Sequence, residues 1–358
     1  MIRVEPRTPS RALAAAVPVL SAAAALALAA IPLALAGADL AEAYALMAKG
    51  VFGSRFALSE TLTRATPLIL TGLAAALAFR ARLWNIGGEG QLYLGALAAA
   101  AVGSGAVSGP SWLLIPLVLA AGAAAGAAGM AGPAWLKIRF GADEVVTTLL
   151  MNFVVILFVQ MMLEGPMQDP MGMGWPQSAP VLDEATLPRL AERTRLHAGL
   201  PIALALVVAA HVALSRTVWG LKIRAVGENA AAARHAGIPV GRTLMSAALV
   251  SGALAGLAGA GEVAGLKGYL TADLSPGYGY AGIVAAMLAG LSPLGVAASA
   301  AYIAAVFVGA DSMSRALGVS NYLADLVVAL SLLSVLVGGF FARNRLVAVR
   351  AGKAGEGA

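Results

Sequence analysis

The residues best placed to do chemistry sit in four short polar clusters within an otherwise apolar chain. The densest reads Asn85-Ile-Gly-Gly-Glu-Gly-Gln91. Its glycines permit backbone conformations closed to other residues, so they can hold a helix break open and leave free N–H groups at the start of the next helix. Asn85, Glu89 and Gln91 then offer hydrogen bonds to a polar solute; the competing reading is an ordinary turn with Asn85 as its cap. The second cluster is a stripe. Glu144, Thr148 and Asn152 follow at i, i+4 and i+8 and share one helix face. An intramembrane Asn is costly unless paired, so Asn152 faces either a polar cavity or a neighbouring helix that it holds. Third, Glu262 lies in Gly259-Ala-Gly-Glu-Val-Ala-Gly265 near the end of an apolar run. It reads as interfacial, snorkelling outward or pairing with Lys267. Fourth, Ser275-Pro-Gly-Tyr-Gly-Tyr280 offers two rings. Tyr278 reads as an interfacial anchor, while Tyr280 is open between that role and stacking on a sugar or base.

These clusters support hydrogen bonding rather than bond making. The sequence contains no G-x-x-x-x-G-K-[ST] phosphate loop, no dinucleotide-binding glycine motif after a strand, no H-E-x-x-H and no G-x-S-x-G. It has no cysteine, and His197, His211 and His235 lack ligand spacing, so neither a disulfide framework nor a metal site is expected. No apolar run carries the row of charged residues that a proton pump or voltage sensor uses. A path through this chain is therefore polar but nearly uncharged. It suits a neutral, hydroxylated or heterocyclic solute, and any work of uphill transport must be supplied from outside.

The elements that position these clusters are membrane spans. Of 358 residues, 60% are hydrophobic and 12% charged, against about 25% charged in soluble domains. Crossing the hydrocarbon core takes about 20 apolar residues. Candidate spans fall at 12–36, 65–79, 86–107, 112–135, 145–163, 199–214, 243–266, 279–291, 296–310 and 322–341. The expected fold is an all-α, polytopic membrane helical bundle of about ten crossings. Segments 65–79 and 279–291 are short and flanked by Gly or Pro, a mark of broken helices lining a transport path. The first apolar run follows Arg3, Arg7 and Arg11. It exceeds the roughly 7–15 residues of a cleavable signal and reads as an uncleaved span.

With the N-terminus inside, the inner side receives Arg3, Arg7, Arg11, Arg80, Arg82, Lys137, Arg139, Arg216, Lys222, Arg224, Arg234, Arg242, Arg343, Arg345, Arg350 and Lys353, sixteen of the 24 basic residues. The positive-inside rule then makes both termini cytoplasmic. This clustering accounts for the net charge of +6 without nucleic acid. The expected divisions are a cytoplasmic N-terminus at 1–11, a transmembrane domain at 12–341 and a cytoplasmic tail at 342–358. Residues 164–198 read as a proline-rich extracytoplasmic loop with a short helix near 183–195. Residues 215–242 read as a cytoplasmic loop in which Asn229 caps a helix of alanines that Gly237 and Pro239 end. The G-x-x-x-G pairs Gly122/Gly126, Gly252/Gly256 and Gly261/Gly265 read as close packing inside one chain.

Four blocks, in order, carry a resemblance: Asn85-Ile-Gly-Gly-Glu-Gly-Gln91, Ala142-Asp-Glu-Val-Val-Thr-Thr-Leu-Leu-Met-Asn152, Ala225-Val-Gly-Glu-Asn-Ala-Ala-Ala-Ala-Arg-His-Ala-Gly-Ile238, and the segment from Gly277-Tyr-Gly-Tyr-Ala-Gly-Ile-Val through Gly290-Leu-Ser-Pro-Leu-Gly295. From about Leu58 to Phe341 the chain resembles permeases of the branched-chain amino acid and ribose ABC importer superfamily, in its nucleoside and simple-sugar branch. The resemblance implies a multi-pass inner-membrane importer subunit that is not an enzyme and binds no cofactor. Its implied partners are ATP-binding cassette subunits that use the ATP, a second related permease subunit, an extracytoplasmic substrate-binding lipoprotein and membrane lipid. The implied solute is a nucleoside, then a simple sugar. A cytoplasmic coupling helix matches Glu228 to Gly237, with Glu228, Asn229, Arg234 and Gly237 touching the ATPase. Asn85, Glu89, Gln91 and Asn152 gain a place on the pathway, beside Thr148 and Tyr280. The alanine run departs from the more polar sequence frequent in this loop. The alternative is an ion-coupled secondary transporter of a similar solute, with Glu89 or Glu262 as its coupling site.

Overall fold

The computed structural model describes residues 2–6, 11–318 and 320–348. Arg7, Arg350 and Lys353, three of the bases assigned to the inner side, lie outside the described residues. The first helices are α1 (Arg11–Leu35), α2 (Leu40–Phe52), α3 (Arg55–Arg80), α4 (Gly88–Ala101), α5 (Ser111–Phe140), α6 (Glu144–Leu163) and α7 (Gly199–Arg216). They are followed by α8 (Val218–Glu228), α9 (Ala230–His235), α10 (Val240–Gly261), α11 (Tyr278–Leu288), α12 (Pro293–Leu317) and α13 (Asn321–Arg343). π-Helical turns extend α4 at Val102–Ala106 and α10 at Glu262–Lys267. The described chain is otherwise loops and one short antiparallel ribbon, which pairs β1 (Ile2–Pro6) with β2 (Asn344–Ala348). Every candidate span falls on a helix. Among the described residues, six helices are long and apolar enough to cross a membrane: α3, α5, α6, α7, α10 with its π-turn, and α12.

The chain forms two compact units, residues 47–309 and residues 1–46 with 310–358. In the terminal unit α1 packs on α13, and the Tyr44 hydroxyl donates to the Leu26 carbonyl. In the larger unit α3 and α10 are the most enclosed spans, with α4, α5 and α11 packed around them.

Segment 65–79, expected to be a broken helix, is instead part of a continuous helix of 26 residues. Its first half carries Ser59, Thr61, Thr63, Arg64 and Thr66, which hide the span from a hydropathy reading. The threonine hydroxyls return to the helix itself. Thr61, Thr63, Thr66 and Thr71 donate to the carbonyls of Ala57, Ser59, Leu62 and Pro67. Each of these hydroxyls is thereby satisfied inside the bundle, as a bilayer requires. Segment 279–291 is short in fact, forming the 11-residue α11.

Small residues set the packing. A methyl on Gly126 would strike the Gly252 carbonyl, one on Gly256 the Gly122 carbonyl and one on Gly95 the Gly256 carbonyl. α4, α5 and α10 thus meet backbone to backbone, an approach only small residues allow. The first two G-x-x-x-G pairs therefore pack within the chain.

Segment 164–198 holds a single 3-10 turn at Asp183–Ala185 in place of the helix expected near 183–195. It is pinned to the ends of α4 and α10. Leu182 N donates to Gly103 O at 2.9 Å, Leu187 N to Ala264 O at 2.8 Å and Val181 N to Gly268 O at 2.8 Å. This cover corrects the reading of Glu262, which is 2% exposed rather than interfacial. Tyr278 is corrected likewise. It is buried, with its ring 6.3 Å from that of Phe307, and does not anchor at an interface.

His197 closes the loop. Its Nδ1 accepts from Gly199 N at 3.1 Å, its ring lies against Gly265, and its buried Nε2 has no partner among the described residues. Burial pushes this imidazole down to about 4. The unfolded chain, titrating near the ordinary 6.5, then binds more protons between those values. Stability is full above about pH 6.5 and is lost as pH falls toward 4.

Two predictions follow from this packing. Thermal unfolding in detergent should show Gly256→Ala destabilised by about 1–3 kcal/mol through overpacking, while Gly132→Ala, with no neighbour within 4 Å, loses nothing. Acidification from pH 7 to pH 5 should cost the wild type about 2 kcal/mol through His197. His197→Asn, whose side-chain oxygen can still accept from Gly199, should flatten that pH profile.

Candidate functional site

All six residues expected on the pathway meet at one place, where two helices begin. The chain leaves α3, crosses residues 81–87 and enters α4. Asn85 and Gln91 form a reciprocal amide pair across this turn: Asn85 Nδ2 donates to Gln91 Oε1 at 2.8 Å and Gln91 Nε2 donates to Asn85 Oδ1 at 2.9 Å. Asn85 also accepts from Gly87 N at 2.9 Å and donates to Ser251 Oγ at 3.0 Å. Ser251 in turn donates to the Ala74 carbonyl at 2.8 Å. Asn85 thus closes the turn before α4, whose N-cap is Gly87, and links α4 to α10 and, through Ser251, to α3.

The stripe on α6 holds the same turn from the other side. Glu144 Oε1 accepts from Trp84 N at 3.2 Å, Thr148 Oγ1 from Ile86 N at 3.1 Å and Asn152 Oδ1 from Gly90 N at 2.8 Å. Asn152 Nδ2 donates to Ile86 O at 3.0 Å and to Tyr280 Oη at 3.1 Å. Lys137 forms an ion pair with Glu144. Between the cavity and packing readings of Asn152, these bonds are to protein.

Glu89 joins the two helix starts. It stands in the first turn of α4, and its Oε2 accepts from Gly279 N at 2.6 Å. Ser275 Oγ accepts from Tyr278 N at 2.9 Å, completing the start of α11, and Thr71 Oγ1 donates to Tyr278 O at 2.9 Å. A methyl on Gly279 would strike Glu89 N. The N-termini of α4 and α11 therefore abut, and a carboxylate between them complements two positive helix ends. Five of the six residues are buried; Tyr280 alone is open, at 40% exposure. Ser251, Thr71 and Ser275 complete the frame and were not singled out by sequence. Ser275, followed by Pro and Gly, had a readable turn signal; Ser251 and Thr71 had none.

The segment expected to meet an ATPase begins where α8 ends. Glu228 is the last residue of α8, and Asn229 breaks the chain and caps α9, accepting from Ala231 N and Ala232 N at 3.0 Å each. Gly237 ends the turn at φ 79°. Ala233 packs with Val226 and Val240, which leaves Glu228, Asn229, Arg234 and Gly237 exposed.

Replacing Asn152 with Ala strands a buried N–H and a buried carbonyl. The expected loss is on the order of 2–4 kcal/mol in chemical denaturation of the solubilised protein, whereas Tyr280→Phe should stay close to wild type.

Comparison with known proteins supplies the relationship. A family profile described as "Branched-chain amino acid transport system / permease component" matches residues 57–336. A glucose ABC transporter permease protein of Haloferax volcanii is 39% identical over 356 residues, covering 96% of this chain and 93% of the relative. A guanosine ABC transporter permease protein of Bacillus subtilis is 35% identical over 299 residues, covering 82% and 84%. A nucleoside ABC transporter permease protein of Lactococcus lactis is 30% identical over 271 residues, covering 74% of each chain. No solved structure matches this chain. With six helices long and apolar enough to cross a membrane and this agreement along most of its length, the chain belongs to the branched-chain amino acid transport system permease family, as a multi-pass membrane permease of an ABC importer whose ATPase resides in separate subunits.

Proposed function

We propose that this permease moves a neutral hydroxylated solute inward, a nucleoside in the first place and a simple sugar in the second, by alternating access at the junction of α4 and α11. The observation that carries this reading is the meeting of those two helix starts inside the bundle around Glu89. Transporters place polar sites where spans are interrupted, because free helix ends offer hydrogen bonds there. Asn85, Gln91, Thr148 and Asn152 hold the interruption in shape. Tyr280, bonded to Asn152 and partly open, presents its ring to a base or sugar. Separation of α11 from α4 would release Glu89 and Asn152 to the solute. Both kinds of solute appear among the relatives' names, glucose in one and nucleosides in two.

The remaining assignments follow the same reading. The chain makes about ten crossings with both termini cytoplasmic, and 12–341 is the transmembrane domain. Residues 164–198 lie outside and 215–242 inside. Partner ATP-binding cassette subunits grip Glu228, Asn229, Arg234 and Gly237 and supply the work of ATP hydrolysis. A second, related permease completes the core, and an extracytoplasmic lipoprotein delivers the solute. A driving subunit can bias the two states only through differential binding to them.

The test is uptake in proteoliposomes holding the full assembly. Uptake should stop with vanadate and persist with an uncoupler. Arg234→Ala, at an exposed side chain, should cut it at least tenfold while the unfolding midpoint stays near wild type, and Tyr280→Ala should raise KM more than it lowers kcat. Normal uptake by the Arg234→Ala variant, or uptake without the ATPase, contradicts the reading.

A further inference from the structure

A cavity of about 460 Å³ opens where the end of α3, the end of α8 and the turn after α11 come together. Arg80, Arg82 and Arg224 line it, with Glu228, Gly227 and Leu291. Three guanidiniums against one carboxylate leave a formal excess of two positive charges, and arginine stays protonated at any working pH. Arg80 and Arg224 bond to backbone. Arg80 Nε donates to Leu291 O at 2.9 Å, and Arg224 Nη1 donates to the Leu214 carbonyl. None of the three has a carboxylate within ion-pair distance among the described residues. Arg80 and Arg224 are close enough to repel each other. Like charges gathered at one mouth repel, and an anion among them relieves that repulsion.

Two helix C-termini form the rim. Arg82, at φ 53°, ends α3, with Arg82 N donating to Phe79 O and Leu83 N to Ala78 O, and Leu291, at φ 61°, follows α11, with Leu291 N donating to Ala286 O. The wall is tight, because a methyl on Gly227 would strike the Arg80 carbonyl. Trp84, two residues beyond Arg82, is 41% exposed, and Leu221, one turn before Arg224, is 55% exposed. A basic cavity beside exposed Trp and Leu at the end of a span is the setting in which lipid headgroups bind.

We propose that this cavity binds a phosphate group. Planar guanidinium forks match phosphate oxygens two at a time, and the volume holds a phosphate with its ester substituent, more than a lone carboxylate needs. The group comes from an anionic phospholipid or from free phosphate. Bound there, it neutralises the repulsion between Arg80 and Arg224 and locks the end of α8 to the end of α3. The site does not depend on which solute is carried.

Native mass spectrometry of the full-length protein tests this, with phosphatidylglycerol or phosphatidylcholine added to the micelles; a thermal-shift titration with inorganic phosphate forms the soluble arm. The wild type should retain phosphatidylglycerol over phosphatidylcholine. Arg82→Gln, at an exposed side chain whose loss spares the fold, should lower retention roughly tenfold. Arg82→Lys should recover part of it, Glu228→Gln should raise it, and Arg216→Gln, an exposed base elsewhere on the same side, should leave it unchanged. A shift with inorganic phosphate that Arg82→Gln abolishes, without lipid retention, supports the site with a soluble source. Binding of neither phosphate source, or equal binding by all variants, overturns the proposal. So does a phosphate-blind protein whose Arg82→Gln variant loses only its ATPase subunit, which would assign the cavity to a carboxylate of that partner.

Discussion

The fold is governed by the rule that backbone N–H and C=O groups within a bilayer must find partners in the protein. Continuous helices obey it at no cost in side chains. This chain departs from continuity between α3 and α4 and again before α11, and each departure is matched by side chains that supply the missing bonds. Trp84, Ile86 and Gly90 donate to Glu144, Thr148 and Asn152, Gly87 donates to Asn85, and Gly279 donates to Glu89. Within this cluster a single side chain often serves two helices at once. The junction can therefore be rigid in one state and still separable as a unit.

Close packing makes those bonds possible. Lipid offers helices little hydrophobic reason to associate, so van der Waals contact between small residues carries the association. Gly95, Gly122, Gly126, Gly252 and Gly256 bring α4, α5 and α10 into backbone contact. That proximity places Ser251 within reach of both Asn85 and the Ala74 carbonyl. The polar junction and the small-residue seam are two parts of one device: the seam fixes the helices, and the junction interrupts them at a defined level.

Much of this was legible in the sequence, and the failures have physical causes. Spacing alone put Glu144, Thr148 and Asn152 on one face, and the glycines around Glu89 announced a break. Asn229 and Gly237 bounded α9 correctly, because capping is a local interaction. The length of α3 was hidden because threonines that bond their own helix look polar to a hydropathy scale. Glu262 and Tyr278 were misread because burial comes from tertiary packing that local spacing does not show; Phe307, for one, packs on Tyr278. Ser251 and Thr71 left no trace, since a lone hydroxyl in an apolar helix gains meaning only from what faces it.

The central claim is that the meeting point of α4 and α11 is where solute passes, with Tyr280 at its open edge and Asn152 behind it. The absence of native cysteine makes it directly testable. Single-cysteine variants at positions 280 and 152 in the assembled importer can be treated with a thiol reagent with and without solute. The account predicts that a cysteine at 280 reacts and is protected by solute, while one at 152 stays unreactive until ATP cycles the complex. Labelling at 280 that solute leaves unchanged, or a cysteine at 152 as reactive at rest as one at 280, would contradict it.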